Sequence, residues 1–114
     1  MVKQGEIFYV DFSPSKGREQ QGNRPAIAIS STKYNFRTGF VLACPITSTQ
    51  RAMRVRIPLD DRTTIQRDLL CEQVRIIDLK SRPHRTVEHA PRDIVFKIHE
   101  IINSILLLDE AQCG

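Results

Sequence analysis

The stretch EQQGNRPAIAIS, residues 19–30, changes from a polar loop to an apolar segment at the step from Arg24 to Pro25. The apolar half is a short continuous run of the kind that is typical of a buried strand. Pro25 predicts the start of this strand, because proline is tolerated at the first residue of a strand. Arg24 is then either a solvated charge at the strand edge or a cation that the preceding loop presents to an anion.

The composition is that of a soluble globular protein. Hydrophobic residues make up 40% and charged residues 26% of the 114 residues, so we expect one domain over residues 1–114. No apolar run approaches the ~20 residues of a membrane span, and we therefore expect a cytoplasmic protein with no membrane contact. The net charge of +4 permits a nucleic-acid partner, while the lack of tryptophan argues against an aromatic stacking platform.

The cysteines and histidines show no spacing typical of a metal site. Cys44 and Cys71 lie in apolar runs and Cys113 is distant from both, so we interpret the first two as buried free thiols. The three histidines, at positions 84, 89 and 99, have no ligand spacing with the cysteines or with one another. We therefore expect neither a metal nor another cofactor.

The strands are predicted from alternation of apolar and polar residues and from the turn-forming residues between such segments. MRVRIP, residues 53–58, alternates apolar and basic residues, which predicts a strand with one arginine-bearing face. Asn35–Gly39 has the composition of a turn. The other predicted strands cover 6–12, 25–31, 40–46 and 69–78, the last being either one strand or two that are separated by a bend.

The C-terminal segment changes to a helical period. Pro91 suits the first position of a helix and Asp93 suits its first turn. Isoleucines recur at helical spacing at positions 94, 98, 101, 102 and 105, which predicts an amphipathic helix. Five or six strands followed by one helix predict a mainly β fold, a small and partly closed β-barrel with a C-terminal helix.

Three segments together resemble one protein family. PSKGREQQGNRPAIAIS, KYNFRTGFVLACPITS and LLCEQVRIID occur in this order, and the chain is similar over most of its length to the MazF/PemK family of toxin endoribonucleases from type II toxin–antitoxin systems. The combination of GxEQxGxRP, PITS and EQVR is specific, whereas each piece alone is weak. The family fold is an SH3-like barrel, which agrees with the predicted order of elements.

The resemblance implies a homodimeric toxin that cleaves single-stranded RNA, such as mRNA, and so inhibits translation and growth. It also implies cleavage at short motifs without a metal ion, and inhibition by a cognate acidic antitoxin similar to MazE. The products would carry 2′,3′-cyclic phosphate and 5′-hydroxyl ends, because the 2′-hydroxyl of the RNA itself acts as the nucleophile.

Arg24 is the first catalytic candidate. Cleavage through the 2′-hydroxyl builds negative charge on the phosphate, and a guanidinium stabilises this charge because it is planar, permanently charged and bidentate. Its pKa above ~12 makes it a poor proton donor near neutral pH. We therefore assign to Arg24 stabilisation of the transition state rather than general acid catalysis.

Thr47 and Glu19 are the other catalytic candidates. The Thr47 hydroxyl, at the end of the predicted strand 40–46, either donates to a phosphate oxygen or caps a turn. The resemblance at PITS favours the first role. Glu19 is the carboxylate of the polar loop, and it either takes the proton from the 2′-hydroxyl or orders the loop by pairing with Arg18 or Arg24.

The candidates for RNA binding are polar or basic residues of the predicted loops and of strand 53–58. Lys16 and Arg18 lie in the loop before Arg24, whereas Arg54 and Arg56 share a strand face that is either part of an RNA track with Arg51, Arg62 and Arg67 or simply solvated. Loop contacts to splayed bases would give sequence preference. The full set is Lys16, Arg18, Gln20, Asn23, Ser48, Arg54, Arg56 and Gln73.

One departure from the family pattern limits the transfer of roles. Some members are described with an arginine two residues before an Asp-Gln pair as acid and base, but here Leu70 and Glu72 occupy these positions. That scheme cannot be transferred whole. Glu72 is either a packing residue or, with Gln73, a contact to RNA or to the dimer partner.

Two other functions are compatible with the same fold. A CcdB-like toxin would bind DNA gyrase and cleave nothing, and a non-catalytic barrel would bind RNA through the same basic charge. The combined presence of Arg24 and Thr47 in family motifs favours the ribonuclease over the gyrase-binding toxin. A cleavage assay separates the ribonuclease from the RNA-binding barrel.

Overall fold

The computed structural model describes residues 1–11, 23–47, 56–65 and 68–110, with the backbone alone at 56 and 57. These residues form seven β-strands and two α-helices. The elements are β1 (Glu6–Asp11), β2 (Asn23–Ala28), α1 (Thr32–Thr38), β3 (Phe40–Thr47), β4 (Arg56–Pro58), β5 (Asp68–Leu70), β6 (Arg75–Asp78), β7 (His84–His89) and α2 (Arg92–Ile105). A single turn of 3-10 helix, Cys71–Gln73, connects β5 to β6.

The strands form an antiparallel sheet in the order β4-β5-β3-β2-β1-β7. The long strand β3 has two partners on one side, since its first half pairs with β6 and its last two residues pair with β5. Among the described strands, β4 and β7 lie at opposite ends of this order and are not paired with each other. The predicted fold class, mainly β with a partly closed barrel and a C-terminal helix, is confirmed.

Strand β2 is buried on both faces from Pro25 to Ala28, which explains why the opening stretch is apolar without alternation. In β2, Ile27 packs with α2, whereas Ala26 and Ala28 pack on the opposite face. We call these the α2 face and the far face. The α2 face buries Ile7, Ile27, Cys44, Ile46, Leu69, Ile94 and Ile98; the far face buries Val2, Phe8, Val10, Ala26, Ala28, Val41, Ala43, Ile77 and Leu79.

Helix α2 follows the predicted amphipathic pattern except at its end. Ile94 and Ile98 are buried, and Ile101 and Ile102 are half-buried against the same cluster. Ile105 is 55% exposed and is not a core residue of this chain. The helix begins at Arg92, one residue after the predicted Pro91.

Helix α1 replaces the turn that the sequence predicted at Asn35–Gly39. Ser31 caps the helix, since its side-chain oxygen accepts a hydrogen bond from the Tyr34 N–H at 3.1 Å. Gly39 ends it with a φ of 79°, a conformation that glycine adopts without strain. The buried Asn35 donates to the Val2 carbonyl at 3.1 Å, which ties the helix to the N-terminus.

The observed strands differ from the predicted ones at β2 and at β7, and they decide between the two alternatives for 69–78. Strand β2 begins at Asn23 rather than at Pro25, so the proline lies inside a strand. Strand β7 was not predicted, because HRTVEH lacks buried positions to produce an alternation. The segment 69–78 forms two strands that the 3-10 turn separates, as one of the two alternatives predicted.

The prediction of buried free thiols is confirmed for Cys44 and Cys71, whereas Cys113 lies outside the described residues. Interaction with Cys71, together with burial, raises the pKa of Cys44 well above its usual range, and interaction with Cys44 lowers the pKa of Cys71. Cys44 is therefore a neutral core residue near pH 7.

Candidate active site

Two groups of cross-strand partners lie at the ends of neighbouring strands. On β7, β1 and β2, His84 is opposite Val10 and Val10 is opposite Arg24. On β3 and β5, Thr47 is opposite Asp68. Directly opposite residues of an antiparallel pair share a face, so each group is a short row of side chains across the sheet.

The register between β2 and β3 shows that the two rows lie on the same face of the sheet. Ala26 is opposite Pro45, Arg24 lies two residues before Ala26, and Thr47 lies two residues after Pro45. Because the strands are antiparallel and side chains alternate, Arg24 and Thr47 project from the same face at the same end of the sheet. The pairing of β2 with β3 ends at Ala26 and Pro45, so Arg24 and Thr47 both lie just beyond the last paired positions of these strands.

The row lies on the far face, at the boundary between the core and the surface. Val10 is fully buried, whereas Arg24 is exposed and Thr47 and Asp68 are half-buried. The guanidinium is thus accessible to a ligand while the strand that carries it is fixed on both sides by β1 and β3. This arrangement supplies a permanent cation, a hydroxyl donor and a carboxylate on adjacent strands.

Three other predicted residues are described, and they lie away from this row. Asn23 is exposed and comes directly before Arg24, but it is opposite Asp11. Its side chain therefore projects from the α2 face, whereas that of Arg24 projects from the far face. Gln73 is exposed in the 3-10 turn. The backbone of Arg56 lies opposite Leu70 in β4. Among the predicted site residues that the structure describes, Arg24 and Thr47 share one face and one end of the sheet.

The remaining predicted site residues lie outside the described part of the chain. They comprise one catalytic candidate in the polar loop and five candidates for RNA binding. These residues are Glu19, Lys16, Arg18, Gln20, Ser48 and Arg54.

Sequence reasoning missed two members of the row, Asp68 and His84. Asp68 follows a polar loop, and only the strand register shows that it lies opposite Thr47. His84 belongs to the unpredicted strand β7, where its ring contacts the Phe8 ring edge-to-face at a centroid distance of 6.5 Å. Its Nδ1 lies 3.1 Å from the Arg82 carbonyl oxygen, so the ring has a defined orientation.

Arg62, one of the arginines of the predicted RNA track, forms ion pairs within the chain. Its guanidinium contacts the carboxylates of Asp60 and Asp93, each at 2.8 Å. Hydrogen bonds from Arg62 lower the pKa of Asp60 and of Asp93. These side chains are exposed, so the contacts orient the loop before β5 against α2 without adding much stability.

The residues described contain no group of three or more His, Cys, Asp or Glu side chains that could hold a metal ion. Within the same ranges, no helix combines the length and the apolar character needed to cross a membrane.

The fold and the row of polar residues define a small antiparallel β protein with a basic, hydroxyl-bearing site at one end of its sheet. The family model for the PemK-like, MazF-like toxin of type II toxin–antitoxin systems matches residues 3–106. The chain belongs to this family.

Individual relatives agree with this assignment. The chain is 36% identical over 80 residues to the endoribonuclease toxin MazF of Escherichia coli K12, which covers 68% of this chain and 69% of the relative. It is 32% identical over 111 residues to the endoribonuclease PemK of Escherichia coli, covering 92% of this chain and 82% of the relative. A chain of the solved MazE-MazF structure from Deinococcus radiodurans superposes with a TM-score of 0.83 at 27% identity, covering 95% of this chain and 98% of that one.

The predicted family is therefore confirmed, and so is the enzyme class, endoribonuclease, that these relatives carry in their names. The roles of individual residues remain predictions.

Proposed function

We propose that the protein is a cytoplasmic toxin that cleaves single-stranded RNA, including mRNA, through the substrate's 2′-hydroxyl group and without a metal ion. The observation that supports this most is the common face and common end of Arg24 and Thr47, in a chain of a family whose named members are endoribonucleases. A gyrase-binding toxin has no need of a cation and a hydroxyl on one face of the sheet, whereas a passive RNA-binding barrel is distinguished from the ribonuclease by a cleavage assay.

In the proposed reaction the 2′-hydroxyl loses its proton as its oxygen attacks phosphorus, and the bond from phosphorus to the 5′-oxygen breaks. The 5′-oxygen takes a proton from water and leaves as a hydroxyl, and the cyclic phosphate forms. Arg24 holds two nonbridging oxygens as their negative charge increases. Thr47 donates to the phosphate and keeps the 2′-oxygen in line with the leaving oxygen. Asp68, opposite Thr47, positions the threonine hydroxyl, and Glu19 either takes the 2′-hydroxyl proton or orders the loop.

The chemistry is tested by incubating the purified protein with a long single-stranded RNA in excess EDTA. We expect cleavage at a small set of sites with no loss of rate relative to buffer without EDTA, because the site supplies its positive charge from arginine. The upstream products should carry 2′,3′-cyclic phosphate and the downstream products 5′-hydroxyl ends. Products with 5′-phosphate, or complete inhibition by EDTA that added Mg²⁺ reverses, would contradict the proposal.

We further propose that the active form is a homodimer. The end of α2 and the neighbouring part of the sheet expose large apolar side chains, with Ile76 at 53%, Ile105 at 55% and Leu106 at 69% exposure. A cleft of about 410 Å³ lies beside them, and exposed apolar surface of this kind marks an interface. The cleft is lined by Leu42, Cys71, Glu72, Val74, Ile102, Ile105 and Leu106.

Light scattering at micromolar concentration should give twice the chain mass of 13.1 kDa. Ile105→Asp should shift the protein towards the monomer, since a charge at this position is costly to bury. Lys97→Asp, on an exposed face of the same helix, is the matched control and should remain dimeric. A parent protein of monomer mass at this concentration would refute the dimer.

The proposed inhibitor is a cognate, acidic, MazE-like antitoxin, as the family description and the MazE-MazF structure suggest. The net charge of +4 favours an extended acidic segment that is disordered when free and ordered when bound. We expect such a segment to compete with RNA, so raising the RNA concentration should raise the antitoxin concentration needed for half-inhibition. An antitoxin that binds without weakening RNA binding would contradict competition.

A further inference from the structure

A second basic pocket lies at the start of α2, on the face of the sheet opposite Arg24. Its volume is about 180 Å³, equivalent to about six water molecules at ~30 Å³ each, so it admits a small group rather than a polymer. The lining includes no carboxylate and contains one guanidinium and two imidazoles. It comprises Gln4, His89, Arg92, Val95, Phe96 and His99.

The two imidazoles are held by backbone carbonyl groups. His99 Nε2 lies 2.9 Å from the Ile29 oxygen, which also accepts from Gln4 Nε2 at 2.9 Å. His89 Nδ1 lies 2.8 Å from the Ala90 oxygen. A carbonyl oxygen only accepts, so these ring nitrogens carry the hydrogen and donate it, which fixes the tautomer and the orientation of each ring.

Gly5 sets the position of the His89 ring. A Cβ atom at residue 5 would lie 2.6 Å from Cε1 of this ring, so a larger residue would displace the imidazole. The Gly5 N–H donates to Ala28 at 2.7 Å, and its carbonyl accepts from the Ala90 N–H at 2.8 Å. The glycine is thus fixed between two backbone segments, and the ring that lies against it is fixed as well.

Arg92 and Phe96 supply the two other recognition groups. They are four residues apart on α2, so they lie on the same side of the helix. In the part of the chain that the structure describes, no carboxylate forms an ion pair with Arg92, in contrast to Arg62. Phe96 is 65% exposed and offers its ring beside the guanidinium.

The charged groups around the pocket leave it open to an anion. On the N-terminal side, the Glu6 carboxylate accepts from the Lys3 N–H at 2.7 Å. On β7, Glu88 accepts from the N–H groups of Thr64 and Ile65 at 2.8 and 3.0 Å. On α2, Asp93 is paired with Arg62, while Lys97 and Glu100 are exposed and have opposite charges.

From this geometry we infer that the pocket binds the phosphate of a mononucleotide, with the base stacked on Phe96. Arg92 donates charge-assisted hydrogen bonds to the phosphate, and the two imidazoles line the rest of the pocket without adding negative charge. An exposed aromatic ring stacks on any base, because every base has a π-face. This ligand site is separate from the proposed cleavage site and does not depend on it.

The test is a titration of the ¹⁵N-labelled protein with adenosine 5′-monophosphate and with inorganic phosphate, followed by NMR. Shifts should saturate and be confined to the amides of the pocket. Because stacking adds to phosphate binding, the nucleotide should bind about 10-fold more tightly than phosphate.

Variants separate the contributions. Arg92→Gln should weaken both ligands about 10-fold or more, whereas Phe96→Ala should lower nucleotide affinity to that of phosphate and leave phosphate binding unchanged. Arg37→Gln, at an exposed arginine of α1, is the matched control and should change neither. Absence of saturable shifts, shifts centred on Arg24 instead, or an Arg92→Gln variant with parental affinity would overturn the proposal.

Discussion

Arg24→Ala is expected to lower the single-turnover rate of RNA cleavage about 100- to 1000-fold, or about 3–4 kcal/mol, as the loss of a transition-state donor does. The side chain is exposed at one end of the sheet, while its strand is held between β1 and β3. Removal of the side chain should therefore leave the fold intact. We expect affinity to fall much less than the rate, because the other basic residues predicted to bind RNA would share the binding of its backbone.

Matched variants make this expectation specific. Arg24→Lys should recover part of the rate, because an ammonium keeps the charge but loses the bidentate geometry of the guanidinium. Arg37→Ala, at an exposed arginine of α1, should cleave like the parent. If Arg24→Ala cleaves within about threefold of the parent in single-turnover assays, Arg24 is only a charge at a strand edge and has no role in transition-state stabilisation.

The elements that could be predicted from the sequence are those that a local pattern of apolar residues specifies. The run PAIAI indicated a buried strand because both faces of β2 are covered, and the isoleucine spacing indicated α2 because one face of that helix packs on the sheet. Helix α1 could also have been predicted, since Ser31 and Gly39 are typical cap residues. The prediction of a turn was wrong because it relied on the composition of Asn35–Gly39 and did not consider these caps.

The parts that could not be predicted depend on register between distant segments. Asp68 and His84 join the row only through pairing with Thr47 and Val10, 21 and 74 positions away, and nothing in their local sequence specifies these partners. Strand β7 has no buried positions, because it lies at an end of the sheet. Its strand character comes from hydrogen bonding to β1, which leaves no apolar period in the sequence.

Thr47→Val is expected to lower the cleavage rate about 100-fold, comparable to the loss of one hydrogen-bond donor to a developing negative charge. Valine keeps the branched shape that the strand end accommodates and removes only the hydroxyl, so the fold should be retained. Thr47→Ser, which keeps the hydroxyl, should recover most of the rate. A Thr47→Val variant with the parental rate would leave the threonine as a residue that caps a turn.

The same variant tests the role proposed for Asp68, its cross-strand partner. If Asp68 acts by positioning the Thr47 hydroxyl, Asp68→Asn should slow the parent enzyme but have little further effect once Thr47 is valine. The pH dependence of the rate should keep its shape in Asp68→Asn, because a positioning residue transfers no proton. Multiplicative losses in the double variant, together with a lost ionisation in the pH profile, would instead make Asp68 an independent proton acceptor. The carboxylate next to Thr47 would then be the base, and Glu19 would be left with the ordering of its loop.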